Sequence, residues 1–423
     1  MELNRSLLAG IAVTLLWAGT ALGSGPVIVG SCPGGVNETI QDAINAAGPG
    51  SMIQVCPGTY AEQLDISKNL TIEGVASNGQ NAAIIVPPAT GLTQNATSLS
   101  SGGPIAAQVF VHGASHVVLS NLTVDGANNQ VNGCAPTVIG ILFQNASGTV
   151  TGVALRNQKL PADLNGCQSG LGLFVQSGNS GRSTVSVKNS SVHDYQKNGI
   201  TGDETGTSLV VQQNSVRGQG PTTGAAENGI QIGFGATGLI MNNQVIDDIY
   251  ALDTSTDPGD AAAGILVYDS AGVRVISNVV GNTQFGIVYV TDTSIPGLSA
   301  DGGTILGNQV FGTSIFDGVD ICSNNNSIVG NVVSDSDESG IHLDSSCGTT
   351  GNSNHVVGND INEACAGILN GGSGNQIVGG VFLNTVNNIL SGNTCVPPSH
   401  LDLSLSEVKP NSGGGTGRLN PYR

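Results

Sequence analysis

Charge is what this sequence has least of. Only 10% of its 423 residues are charged, against about 25% in an ordinary globular domain. Aromatic residues supply 4%. So few charges exclude a fold clothed in exposed amphipathic helices, whose outer faces need them. Lys and Arg are the scarcer sign: 12 against 30 Asp and Glu, a formal net charge of −18. Nucleic acid is excluded as a partner, because phosphate backbones are bound by clustered cations. Polyanionic glycans are repelled at long range unless cations bridge them. No CxxC pair occurs, so a thiolate zinc site is not expected.

Long apolar runs are also missing beyond one at the start. Ser6–Ala21 follows Arg5 and ends before the small-residue stretch "ALG" and Ser24. That run is short for a membrane span, which takes about 20 residues. It suits the core of an export signal over residues 1–23. The mature chain is then expected outside the cytoplasm, secreted or periplasmic, with no membrane attachment after cleavage. Eight cysteines in such a compartment are read as disulfides. Nearest-neighbour pairing gives Cys32–Cys56, Cys134–Cys167, Cys322–Cys347 and Cys365–Cys395. The Cys322–Cys347 gap is close to the repeat described next, so these two are expected one rung apart.

Glycine is abundant, at 63 positions, and it is periodic. Gly followed by an apolar residue recurs at Gly140, Gly172, Gly199, Gly229, Gly264, Gly286, Gly318, Gly340 and Gly367, with shortest gaps of 22 residues. A second column follows, an Asn placed two before Val or Ile: Asn214, Asn243, Asn278, Asn308, Asn331 and Asn359. Between them lie short period-2 runs such as "GILVYD" and "VRVIS", which are read as strands. One such unit cannot bury its own apolar face, but stacked units can. The reading is an all-β, single-stranded, right-handed parallel β-helix solenoid over residues 24–398. About twelve rungs at the usual strand spacing make a rod roughly 55–60 Å long. The Asn column is expected to take left-handed corners and to hydrogen-bond from rung to rung. Near the start, Asn37 is the expected N-cap of a short helix presenting Ile40, Ala43, Ile44 and Ala47, which would cover the open end of the sheets. Residues 399–423, with "SGGGTG", lose the pattern and read as a flexible tail.

The stretch Thr39–Gly74, "TIQDAINAAGPGSMIQVCPGTYAEQLDISKNLTIEG", resembles the opening of pectin-lyase-like right-handed β-helix proteins. The resemblance runs over about residues 32–395. It implies the fold, and a carbohydrate polymer as the partner to look for. Activity within that superfamily ranges over pectate and alginate lyases, methylesterases, polygalacturonases, epimerases and proteins with no known chemistry. The polygalacturonase set "NTD", "GHG" and "RIK" is missing. Asp247-Asp248 occurs only within "VIDDIY", and Asp257-Pro258 continues as "GD" rather than as the "DPHD" of alginate epimerases.

Candidate chemistry is therefore positional. Seven of the twelve cations lie between Arg156 and Arg274. "VHDYQKNG" puts His193, Tyr195 and Lys197 at one corner, and Arg217 falls on the His193 column one rung on. An imidazole or phenol could move a proton there while the cations neutralise a uronate carboxylate. Long insertions before Gly264 and after Gly286 would raise the walls of a groove, with Thr201, Gln231 and Tyr268 on its outward floor. A second set, Asp320, His342 and Asp344, also faces outward, with Asp320 and His342 in one column. No cofactor is required by this reading. Calcium is the one to test, through Asp253, Asp257 and Asp260, oxygen ligands on one loop. "GGSGNQIV" resembles a single calcium-binding repeat with Asn375 in place of Asp. Two functions follow: a lyase, epimerase or glycoside hydrolase acting on a glycan, or a non-catalytic adhesion or scaffold rod.

Overall fold

The computed structural model describes residues 25–222, 224–250 and 261–395. The expected leader, the tail, and the loop with Asp253, Asp257 and Asp260 lie outside the described residues. The rest is a right-handed parallel β-helix with three strand faces. One face is a 13-stranded sheet running from Val27–Val29 to Gln376–Val378. The other two are joined into one hydrogen-bonded sheet, because the last strands turn the corner between them unbroken. Val332–Leu343, for example, pairs with Gln309–Thr313 at its start and with Val319–Cys322 at its end. We call the faces first, second and third in the order each coil visits them.

The repeat is visible as columns. Ile200, Ile230, Ile265, Ile287, Val319, Ile341 and Ile368 stack inward in register along the third face. All are at most 2% exposed. Each such burial contributes about 1.5–3 kcal/mol, and the column makes one continuous core from Val29 to Ile368. The glycine just before each inward residue is there for space. A Cβ on Gly199 would lie 2.5 Å from the carbonyl oxygen of Gly229, and one on Gly286 would lie 2.3 Å from that of Gly318.

The Asn column forms a ladder between the first and second faces. Each side-chain amide from Asn214 to Asn331 donates to Oδ1 of the next Asn at 2.9–3.0 Å. Each backbone N–H of the same residues donates to that same oxygen at 2.9 Å. The left-handed position is not the ladder Asn, as expected, but the residue before it: Gln213, Asn242, Ser277, Gly307, Gly330 and Gly358, with φ of 54–62°. The ladder residue is thereby freed to bury its amide. Asn375 belongs to a parallel ladder with Asn326 and Asn354, which accounts for it as a corner residue.

The N-terminal helix, Ile40–Ala46, packs Ile40, Ala43 and Ile44 into the core end. Its N-cap is Thr39 rather than Asn37: Thr39 Oγ1 accepts from the Asp42 N–H. Glu62 takes the next two free donors, the N–H groups of Ile40 and Gln41, at 2.8 Å each. The eight cysteines form four disulfides, each between sequence neighbours. Cys347 reaches Cys322 from the loop after the next strand rather than from the stacked strand position, which Asp344 takes.

Removing one rung of the ladder should be costly. Asn308→Ala removes the acceptor for the backbone and amide N–H groups of Asn278 and the donor to the Val275 carbonyl. Buried unpaired groups cost about 1–3 kcal/mol each. We expect a loss of about 2–4 kcal/mol, read from the denaturant midpoint. Gln309→Ala, at the exposed neighbour, should change little.

Candidate functional site

The structure does not bring His193, Tyr195, Lys197 and Arg217 to one cavity. His193 and Arg217 do stack in register on the second face. They line an open cleft of about 500 Å³ together with Asp194, Gln219 and Asp247. Each is held by its own acid: His193 Nδ1 lies 2.7 Å from Asp194 Oδ2, and Arg217 Nε donates to Asp247 Oδ2 at 2.7 Å. Tyr195 turns the other way. It is fully buried in the core and its hydroxyl donates to Asp248. Lys197 is buried too, its ammonium donating to the Ala226 carbonyl at 2.6 Å. The alternation was disturbed at this corner, where Asp194 takes a left-handed φ of 56°.

The outward side of the third face does form the expected column. Phe174, Thr201, Gln231, Leu266, Val288, Asp320, His342 and Leu369 follow one another in strict register. Thr201, Gln231 and Tyr268 all face outward, yet none floors an open groove, since all three are buried. Tyr268 packs with Phe234, Leu266, Val288 and Ile295, and its hydroxyl donates to Asp292 at 2.7 Å. Ile295 lies in the insertion after Gly286, which fills the expected groove at these rungs. Gln231 hydrogen-bonds Asn198 and both carboxylate oxygens of Asp203.

One stretch of this face carries concentrated chemistry. Asp320 and His342 are neighbours across one rung, and Asp344 lies two residues beyond His342 on the same outward side. His342 Nδ1 is 3.2 Å from Asp317 Oδ2, and its Nε2 is 3.8 Å from Asp344 Oδ1. Ser339 Oγ donates to Asp317 Oδ1 at 2.6 Å. Ser346 donates to Asp344 through both its backbone N–H and its hydroxyl. Two atoms are left over: Asp320 Oδ1 and His342 Nε2 are buried without a hydrogen-bond partner. Asp317 and Ser339 were missed by the sequence reading. Their signal was there: Asp317 and Ser339 immediately precede column glycines, a position that faces outward on every rung.

The electrostatics follow from burial. Burial holds the Asp320 carboxyl well above its ordinary range, and the charge of Asp344 adds to it. Burial pushes Glu338 up to about 8, helped by Asp317. Burial alone would lower His342, but the charge and hydrogen bond of Asp317 with the charges of Asp320 and Asp344 push it up to about 10. Between Arg274 and Lys409 the sequence has no Lys or Arg, and His342 is the imidazole set among these acids.

Over residues 254–396 the chain matches the model of a family described as NosD, periplasmic copper-binding protein. That segment is about a third of the chain and contains the whole Asp320–His342 cluster. No curated protein matches the chain. Among solved structures, it is similar to the catalytic domain of a GH87 α-1,3-glucanase in complex with nigerose. That match has 14% identity and a TM-score of 0.61 over 92% of this chain and 70% of that one. It is also similar to a GH136 lacto-N-biosidase from Eubacterium ramulus, at 13% identity and a TM-score of 0.54 over 86% and 68%. The A-module of the Azotobacter vinelandii mannuronan C-5 epimerase AlgE4 has 15% identity and a TM-score of 0.51 over 83% and 91%. The fold is the pectin-lyase-like parallel β-helix.

The segment matched to the copper-binding family offers oxygen and imidazole donors only. Its cysteines are all in disulfides, and it has no methionine. Cys322 and Cys347 lie beside Asp344, but their sulfurs are bonded to each other. A soft, thiolate- or thioether-rich copper(I) site therefore does not fit, whereas a divalent ion on carboxylate and imidazole does.

Asp203 gives a pH test apart from the cluster. Burial, with Glu204 beside it, pushes its carboxyl up to about 8. The folded value lies above the unfolded one near 4, so the protonated form stabilises the fold at low pH. That stability is lost as pH rises from about 4 through 8. The melting temperature of the native protein should fall over this window. Asp203→Asn should fall less, and equal melting curves at pH 5 and pH 8.5 in both proteins would contradict the assignment.

Proposed function

We propose that this chain is an exported carbohydrate-active β-helix protein that engages a glycan on the outward side of its third face. Its chemistry is carried by Asp320 and His342, with Asp344 beside them. The observation that carries the reading is that one unbroken outward column leads from neutral rungs into this group of carboxylates and an imidazole. These are the side chains that move protons to and from sugar oxygens or ring carbons.

The charge pattern favours a neutral glycan over a uronic-acid one at this place. Four acids surround the site with no Lys or Arg in the flanking sequence, and a uronate carboxylate would be repelled. Export is supported by the leader-like start, the disulfides, and the partial match to a periplasmic family. The non-catalytic rod remains the second reading, favoured by the near-complete burial of the outward face.

The test is a panel of neutral and uronic-acid glycans. Reducing ends, unsaturated products, solvent-hydrogen exchange and retention would be followed for the native chain, Asp320→Asn and His342→Gln. We expect turnover on a neutral glycan and a loss of about 100-fold or more in each variant, with circular dichroism unchanged. Retention without turnover in all three proteins would support the rod. Neither retention nor turnover would remove the carbohydrate reading.

A further inference from the structure

We infer that Asp317, Asp320 and His342 bind one divalent first-row transition-metal ion. One donor atom from each residue lies within 4.8 Å of the other two. Donors around such an ion, bound at about 2.0–2.2 Å, stand roughly 3–3.5 Å apart, so the set has to close by little more than an ångström. Two of the three residues carry an idle atom. Asp320 Oδ1 and His342 Nε2 are unpartnered although their residues are 5% and 4% exposed, and a buried orphan acceptor is costly unless something fills its need. Asp317 is already oriented by the Ser339 hydroxyl, as groups behind metal ligands commonly are. Asp344 Oδ1, 3.8 Å from His342 Nε2, is a fourth oxygen nearby.

Asp317, Asp320 and Asp344 bring three carboxyl groups to one imidazole, and the sequence from 275 to 408 has no Lys or Arg, so a divalent ion would supply charge that the flanking chain does not. Donor type decides the class. Two carboxylates and one imidazole, without thiolate, suit Zn²⁺, Mn²⁺ or Cu²⁺. Calcium takes six to eight oxygens and gains little from a nitrogen.

The inference deepens the proposed function by naming a cofactor at the same cluster, and its test needs no glycan, so the two can fail separately. Metal-stripped full-length protein would be titrated with Zn²⁺ by calorimetry, with bound metal counted after dialysis. The expected result is one Zn²⁺ per chain, weakened at least tenfold in His342→Gln and in Asp320→Asn and unchanged in His355→Gln, which alters an exposed histidine. Electron paramagnetic resonance of the Cu²⁺-loaded native chain should show one imidazole nitrogen on the metal. That measurement stands even where a variant fails to fold. No stoichiometric Zn²⁺, binding that survives His342→Gln, or a copper spectrum without nitrogen coupling would each overturn the inference.

Discussion

Parallel register between successive coils is the constraint on which the rest of this protein depends. Each residue meets its counterpart one rung above and one below, at the strand spacing of about 4.8 Å. A side chain that suits one rung must therefore suit a stack. Isoleucine and valine stack inward and fill the core. Asparagine stacks at the corner because its amide donates upward while its carbonyl accepts from below. Glycine stacks where the bend leaves no room for a Cβ. A column of like charges would repel at every step, which is why the chain can have so few.

The candidate site is the place where this rule is bent. Asp320 and His342 are stacked partners, so an acid there meets an imidazole rather than another acid. The surrounding acids come from neighbouring outward positions: Asp317 before a column glycine, and Asp344 two residues beyond His342. The rungs on either side supply the rigidity. Inward, Val319, Ile321, Ile341 and Leu343 are fully buried, and the Cys322–Cys347 bond fastens the loop after the strand. Such a frame can hold groups that electrostatics alone would drive apart, which is how functional sites are commonly set into stable scaffolds.

Much of this was legible in the residues. The Gly and Asn columns gave the rungs, and period-2 alternation put Asp320 and His342 in one outward column, where they are. Corners were less legible. Tyr195 lies just past the left-handed Asp194, where counting by twos no longer tells inside from outside, and its ring belongs to the core. Lys197, two residues on, gives its ammonium to a backbone carbonyl. Of the cations around residues 156–274, Arg156, Lys159 and Arg217 each face an acid of the scaffold. Thr39, not Asn37, caps the helix, and the first free amides there are also taken by Glu62, 21 and 22 residues away in sequence.

The sequence by itself determined the architecture, because a solenoid writes its fold as a period, and a period needs no knowledge of distant contacts. It also determined which side chains share a column, since strand alternation and rung spacing are local. Only the tertiary structure decided which outward residues are covered. That depends on insertions such as residues 291–303, which carry Ile295 onto Leu266 and Tyr268, and no periodicity encodes where an inserted loop lies down. It likewise decided that Asp317, Glu338 and Asp344 converge on His342. Their spacing in the chain reflects strand and corner lengths, while their nearness reflects how two successive coils stack along the third face.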